Sequence, residues 1–427
     1  MRHCSLYEVC GLNALPDPDF KHCILHSTKA DKNKREFHDA LNRHLTERGR
    51  DNFRGIVFPE PANFADVEFD KADFSDAIFR DDAIFRGTVF IESACFDGAI
   101  FEKRAFFADS TFPPFTRFVR AKFNEDATFW RANFARNSMF NWCVFGKEVY
   151  FSSAKFVAAD FPSARFKAFA EFDGTIFSES ANFNHCWFLG RTVFAATEDP
   201  LPVFLDVRVD FQSVVIEPLD AVTFRNADLR QFRFRDTDLR KVEFVGVRWP
   251  RIGRRQVVYD EIASAENKSA AFFLGVERLY RQLKQNYDDR KDYERVAEFH
   301  YGEKEMRRKN PGSGVIHRVF LTLYWILSGY GERYVRPLLW GTVVLLLSTF
   351  LYLVLGIFPR NSALPLSPFS VFDWARAVHY SFRVMTLLKP DDLTLSETAR
   401  IVNTVQTIAG PLILGLFALA VRQHLKR

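Results

Sequence analysis

The sequence predicts a multi-domain protein: a β-solenoid of square cross-section, then a helical connector, then a C-terminal α-helical domain with two transmembrane spans. Three observations lead there. Phenylalanine recurs in steps of five or six from Phe58 to Phe194, and 48 of the 427 residues are Phe against 12 Tyr and 7 Trp. That period ends at Trp249, after which apolar residues take a helical spacing. Two uncharged stretches, Leu338 to Phe358 and Ile401 to Val421, lie near the C-terminus. The length suits two or three domains. Lys and Arg number 58 and Asp and Glu 53, a balance that fits neither a strongly acidic DNA mimic nor a basic nucleic-acid coat. No nucleic-acid partner is expected.

Residues 1–50 form an N-terminal arm. They lack the apolar core of a secretory signal, so the N-terminus is expected in the cytosol. Six cysteines in the chain are too few for a disulfide framework, and three fall in the first 23 residues. Cys4, Cys10, Cys23 and His26 supply three thiolates and an imidazole, a closed tetrahedral set for structural Zn²⁺ in a segment with little core of its own. His3 and His22 are spare donors, and unligated thiols in a flexible arm are the competing reading.

Residues 51–250 hold the repeat. Two positions before nearly every Phe stands a small or β-branched residue, as in Ala62/Phe64, Val67/Phe69, Ala72/Phe74 and Ala77/Phe79. A spacing of two puts both side chains on one side of an extended segment, and a turn every five or six residues redirects the chain. Four such faces per coil make a square solenoid, with Phe stacked on Phe of adjacent coils and small residues in the corners. At about 22 residues per coil, residues 53–194 make roughly six coils, about 30 Å at ~4.8 Å per strand. After an interruption at 195–221 the pattern resumes with Val222/Phe224, Ala227/Leu229 and Phe232/Phe234, and Trp249-Pro250 caps it. Cys143 and Cys186 occupy small inward positions, and His185 points outward.

Units such as Ala62-Asn-Phe-Ala-Asp, Ala72-Asp-Phe-Ser-Asp and Asn226-Ala-Asp-Leu-Arg resemble the pentapeptide-repeat family, whose pattern is A-(D/N)-(L/F)-x-x. The resemblance covers about 180 residues and implies a right-handed quadrilateral β-helix; it implies no reaction. Some soluble members of that family mimic DNA, but residues 53–249 carry 24 Lys and Arg against 29 Asp and Glu, and a duplex mimic needs a dense acidic surface.

Residues 251–312 read as a helical hairpin, with Phe272, Val276, Leu279, Leu283 and Tyr287 on one helix and Val296, Phe299 and Met306 on the next. It resembles one tetratricopeptide-type helix pair, with structural packing as its expected role. Residues 313–336 read as an interfacial helix, too short to cross a bilayer.

Residues 337–427 contain the two spans, each long enough for ~30 Å of hydrocarbon. Basic residues flank their outer ends (Arg307, Arg308, Lys309, Arg333 and Arg336; Arg422, Lys426 and Arg427), which places both termini in the cytosol of a bacterial-type inner membrane. Between the spans, Asp373 to Met385 reads as a helix, followed by Thr386-Leu-Leu-Lys-Pro-Asp-Asp392 and a second span that starts polar. This order resembles the pore module of two-transmembrane potassium channels, in which a re-entrant helix leads into a T-x-G-Y-G-D filter. The resemblance implies a homotetramer. Thr386 and Asp391 stand where the filter has Thr and Asp, but Leu388 and Pro390 replace its glycines and Lys389 its Tyr. Carbonyl rows cannot form on that sequence, so potassium selectivity is not expected. Arg383 and Lys389 at the mouth favour anions or a poorly selective pore, with Asp391 and Asp392 opposing them. Arg383, Thr386, Leu387, Leu388, Lys389, Asp391, Asp392, Asn403 and Gln406 are the pore and filter candidates. Gly410, Pro411, Leu414 and Phe417 are candidates for a hinge and hydrophobic gate. Asn403, Gln406, Gly410, Leu414, Phe417 and Val421 fall three or four apart on one face, and helix packing between subunits explains the same stripe.

No Walker loop, nucleophile elbow or H-E-x-x-H is present, and no enzyme is expected. The sequence therefore points to an oligomeric, channel-like membrane protein whose cytoplasmic repeat domain senses or binds an unidentified protein or ligand. A non-conducting, membrane-anchored repeat scaffold is the alternative.

Overall fold

A computed structural model describes residues 12, 22–29, 31–48, 51–196, 203–217, 221–263, 269–360, 364–388 and 393–425. The chain divides into two compact units. The first comprises Met1–Asn267 with Arg278–Asn286, and the second Lys268–Glu277 with Tyr287–Arg427.

In the first unit the Phe period becomes a β-solenoid of about eight turns. Its short strands pair in parallel with the same segment of the next coil, building sheets of eight, nine and nine strands. The eight-stranded sheet runs from Val57–Phe58 to Val215–Ile216 and pairs Phe with Phe: Phe79 with Phe101, Phe101 with Phe123. In-register pairing at the strand spacing forces inward rings into columns. Phe79 and Phe101 stack at 4.8 Å and 2°, Phe101 and Phe123 at 4.7 Å and 1°. Across the interior the columns meet edge to face, as Phe85 and Phe96 do at 5.4 Å and 89°. The rings stack along the axis and interlock across it, and in the last coils Ile216, Leu229 and Leu239 fill the corresponding buried positions.

The coil continues through residues 203–217, where the sequence period appeared interrupted. Phe204 stacks on Phe177 and Phe211 on Phe188, and Arg208–Asp210 pairs with Ser180–Asn182. Ten residues separate Phe194 from Phe204 and seven separate Phe204 from Phe211, so the steps leave the five-or-six pattern while core positions stay filled.

Both ends are covered. At the first coil, Val57 N–H donates to Leu25 O at 2.8 Å, and helix α1 (Lys34–Arg48) lays Phe37 edge-on to Phe58. At the last, Trp249 packs on Phe244, and Asp260 of the short helix α2 (Tyr259–Ala263) accepts from Phe234 and Arg235 N–H at 3.0 and 3.2 Å. Asn286 Nδ2 donates to Leu239 O and Val242 O. Strand edges that would template another chain are thereby occupied.

Helix α3 (Ala270–Asp289), which starts in the second unit and supplies Asn286 to the first, is capped by Ser269. In the second unit α4 (Tyr293–Lys309) starts on Asp292, and Arg307 of α4 pairs with Glu277 of α3. Helix α5 (Val315–Ser328) follows, then α6 (Val335–Leu355), α7 (Val371–Met385) and α8 (Glu397–Leu425). Helices α6 and α8 are each long and apolar enough to cross a membrane.

Candidate functional site

Helices α6 and α8 run antiparallel: Tyr334, beside the start of α6, lies against His424 at the end of α8, while Tyr352 near the end of α6 donates to Gln406 Oε1 at 2.8 Å. At the Leu355/Glu397 end, strand Ile357–Pro359 pairs antiparallel with Leu393–Leu395, so the whole connector leaves and returns at one end of the helix pair.

Helix α7 begins there. Ser370 caps it by accepting from Asp373 N–H, and Asp373 Oδ2 accepts from Ser367 N–H at 3.0 Å, which ties the preceding loop to the first turn. Trp374, Ala377, Tyr380 and Val384 pack in one cluster with Tyr352, Leu353, Ile357 and Leu366. The opposite end lies deep between the long helices. A Cβ on Gly410 would sit 2.8 Å from the Cα of Met385, and one on Gly341 would sit 3.3 Å from its Cε. Gly410 is thirteen residues into α8, about 20 Å along its axis. Helix α7 thus descends from one end of the pair to about its middle.

Buried polar groups tie it there. Gln406 Nε2 donates to Ser381 Oγ at 2.7 Å and to Ser381 O at 3.0 Å, and Ser381 Oγ donates to Leu345 O at 3.1 Å. Tyr380 donates to Asn403 Oδ1 at 3.4 Å. One glutamine therefore joins all three helices, each of its polar atoms satisfied, as burial requires. The end of α7 is satisfied locally: Thr386 Oγ1 donates to Phe382 O and Arg383 O, and Leu387 takes a left-handed φ of 60° as the chain turns away.

The sequence-derived candidates separate accordingly. Thr386 is the C-cap of α7, its hydroxyl bonded within that last turn. Leu387 and Leu388 are exposed, and Arg383 is half-buried in the last turn of α7. Lys389, Asp391 and Asp392 lie outside the described residues. Asn403 and Gln406 bond to their own chain's α6 and α7, and Gly410 touches α7. In this protomer that part of the stripe is an intramolecular contact, because the stripe's polar and small residues match polar and bulky ones on α7. Pro411 sits inside α8, which continues on both sides of it; Leu414 is exposed and Phe417 half-buried. Ser381 belongs to the Tyr380-Ser-Phe stretch that carries the channel resemblance, whereas the sequence does not single out Tyr352, Met385 or Gly341. The available signal was a polar residue inside an apolar span, Tyr352 for Gln406.

At the other end of the chain, Cys23 Sγ and His26 Nδ1 stand 3.2 Å apart, while Cys4 and Cys10 lie outside the described residues. Among the described residues no three potential metal ligands converge. Cys143 and Cys186 are fully buried in the solenoid.

Residues 53–94 match a family model described as pentapeptide repeats (9 copies), and residues 219–248 match one described as pentapeptide repeats (8 copies). No curated protein and no solved structure matches the chain.

Proposed function

From a chain whose solenoid carries pentapeptide repeats and whose C-terminal part holds two helices long enough to cross a membrane, we infer an oligomeric, channel-like membrane protein. The carrying observation is α7, a helix that enters between α6 and α8, stops about halfway and returns to the end it came from. Non-helical backbone at membrane depth is tolerated where it is buried in protein or lines a water-filled cavity, which suits the turn after Met385. Two spans and one re-entrant helix enclose no hole alone, so a pore needs copies around an axis, a homotetramer by resemblance. The Arg333, Arg336 and Arg422 end of the helix pair faces the cytoplasm, and the connector end the opposite side. Helix α5 rests at the interface, its exposed Val315, Ile316, Val319 and Phe320 in lipid. The solenoid is right-handed and square: its third sheet shifts register between Phe69 and Lys71 and again between Phe156 and Ala158, which supplies a fourth face per coil. It serves as the cytoplasmic sensing or binding arm.

The pore is not potassium-selective. Reconstituted into planar bilayers across a KCl gradient, the protein should conduct, with a reversal potential displaced toward that of chloride or near zero. Lys389→Glu should move it toward that of potassium.

A second reading, a non-conducting membrane tether for the repeat rod, is favoured by one observation: Gln406 and Gly410 turn to their own chain and are withdrawn from any shared axis. An intact oligomer without conductance would select it.

A further inference from the structure

We propose that the cluster formed by the end of α4, α5 and the start of α6 binds the phosphate of an acidic phospholipid through Arg333 and Arg336, beside the bare apolar face of α5. Trp325 is the centre of that cluster. Its Nε1 donates to Tyr301 Oη at 2.6 Å, and the guanidinium groups of Arg308 and Arg336 lie over its ring at 4.9 and 5.3 Å. Arg333 lies over the Tyr301 ring at 5.6 Å. Three guanidinium groups are therefore gathered around two rings, each drawn to a π face. Their charges are not equally answered. Arg308 and Lys309 share the carboxylate of Glu305 at 2.7 and 3.2 Å. Arg333 and Arg336 form no ion pair among the described residues. Arg336 Nη1 donates to Trp325 O at 2.7 Å, and a carbonyl solvates a cation without neutralising it. From Glu305 to Trp340 the chain carries six Lys and Arg against two Glu, an excess that an anion answers.

The surroundings identify that anion as a lipid headgroup. Tyr and Trp concentrate at the headgroup level of a bilayer, and Tyr324, Trp325, Tyr334 and Trp340 stand where α5 gives way to the apolar helix α6. On α5, Val315, Ile316, Val319 and Phe320 are exposed while Leu321 and Ser328 are buried, so one face packs on the protein and the other is bare for acyl chains. Arg318, two turns before Trp325 on the same flank of α5, adds another exposed cation at this border. A guanidinium fork pairs two N–H groups with phosphate oxygens. A zwitterionic headgroup brings an ammonium of its own, which Arg333 and Arg336 repel, so a net negative headgroup is selected. Free phosphate makes no use of the apolar face. The site rests on the reading of α6 and α8 as spans with this end at the cytoplasmic leaflet, where acidic lipids attract basic segments, and not on conduction.

The test uses the full chain purified in a neutral detergent, with phosphatidylglycerol, phosphatidylcholine or inorganic phosphate added and the bound species counted by native mass spectrometry. Phosphatidylglycerol should be retained and phosphatidylcholine lost at the same concentration. Arg333→Gln and Arg336→Gln should each weaken retention about fivefold, the effect of one cation near an acidic surface. Because Arg336 also packs on Trp325, Arg336→Lys separates charge from packing and should keep part of the retention. Arg376→Gln, a cation on α7 at the connector end, should leave it unchanged, which excludes a general effect of net charge. Equal retention of the two lipids overturns the proposal, as does wild-type retention in Arg333→Gln, whose side chain is exposed. Displacement of the bound lipid by inorganic phosphate overturns it too, because the site is then one for a soluble anion. A chain released from membranes by alkaline carbonate without detergent refutes the spanning reading and the lipid site with it, whereas absence of conductance refutes the channel reading alone.

Discussion

Many turns of the solenoid pass through a residue with positive φ, and most of these residues are not glycine: Asp66, Asp76, Asp109, Arg120, Arg131, Trp142 and His185 all lie between 54° and 62°. The left-handed region costs an L-residue roughly 1–2 kcal/mol, part of which a glycine returns through its larger unfolded-state entropy. Trp142, exposed at φ 61°, should therefore become more stable by about 0.5–1 kcal/mol as Trp142→Gly, measured by chemical denaturation; an unchanged or lowered midpoint would mean that the indole contributes packing. Inside the coil, the small position accepts hydroxyls and thiols that donate to a backbone carbonyl, several of them to a Phe of the preceding coil: Thr88 to Phe64, Cys143 to Phe118, Cys186 to Phe161. Asp260, buried against the last coil, has its carboxyl pushed up to about 6 by desolvation, partly offset by the N–H groups it accepts from. A carboxyl raised above its unfolded value stabilises the fold fully below about pH 4, and that contribution is lost as pH rises through about 6, on the order of 3 kcal/mol in all. Solenoid unfolding followed from pH 4 to 7 should show this loss in the wild type and not in Asp260→Asn. A parallel pair of profiles would refute it. Periodicity told which residues point inward; it could not tell which turn residues are left-handed, because backbone pairing imposes that φ on whatever side chain stands there.

At the scale of elements, the seating of α7 between α6 and α8 depends on close approach. Gly410→Val places carbon where the backbone of Met385 lies, and rigid overpacking of this kind costs about 1–3 kcal/mol. The expected result is a lowered melting temperature in detergent and a cysteine placed at Leu388 that labels at an altered rate. Unchanged labelling would show that α7 does not seat on Gly410. The helix order of this region was legible in sequence from capping residues, apolar spacing and span length. The inward partners were not. Asn403 and Gln406 look like pore-lining residues on a helical wheel of α8 alone, and only Tyr352, Tyr380 and Ser381 on neighbouring helices show that their polar atoms are already used. The apparent gap at 195–221 has a similar origin, since a stacked coil needs filled core positions and not constant steps between them.

For the whole molecule, an eight-turn stack of parallel coils has two open ends, and each must be closed against strand addition. Deleting residues 1–50 removes the Leu25 carbonyl and Phe37 from the first coil and should cause concentration-dependent association through Val57–Phe58, visible as earlier elution in size-exclusion chromatography. An unchanged profile would show the first coil to be self-sufficient. The sequence by itself determined the solenoid, its Phe columns and the two long apolar helices, because periodicity and uninterrupted hydrophobic length act locally and repeat along the chain. Tertiary structure alone decided the partners of Gln406, the depth reached by Met385, the continuation of the coil through Phe204 and Phe211, and the contact of His26 with Arg54 O. Those depend on close approach between segments distant in the chain, and a linear pattern holds no record of distance.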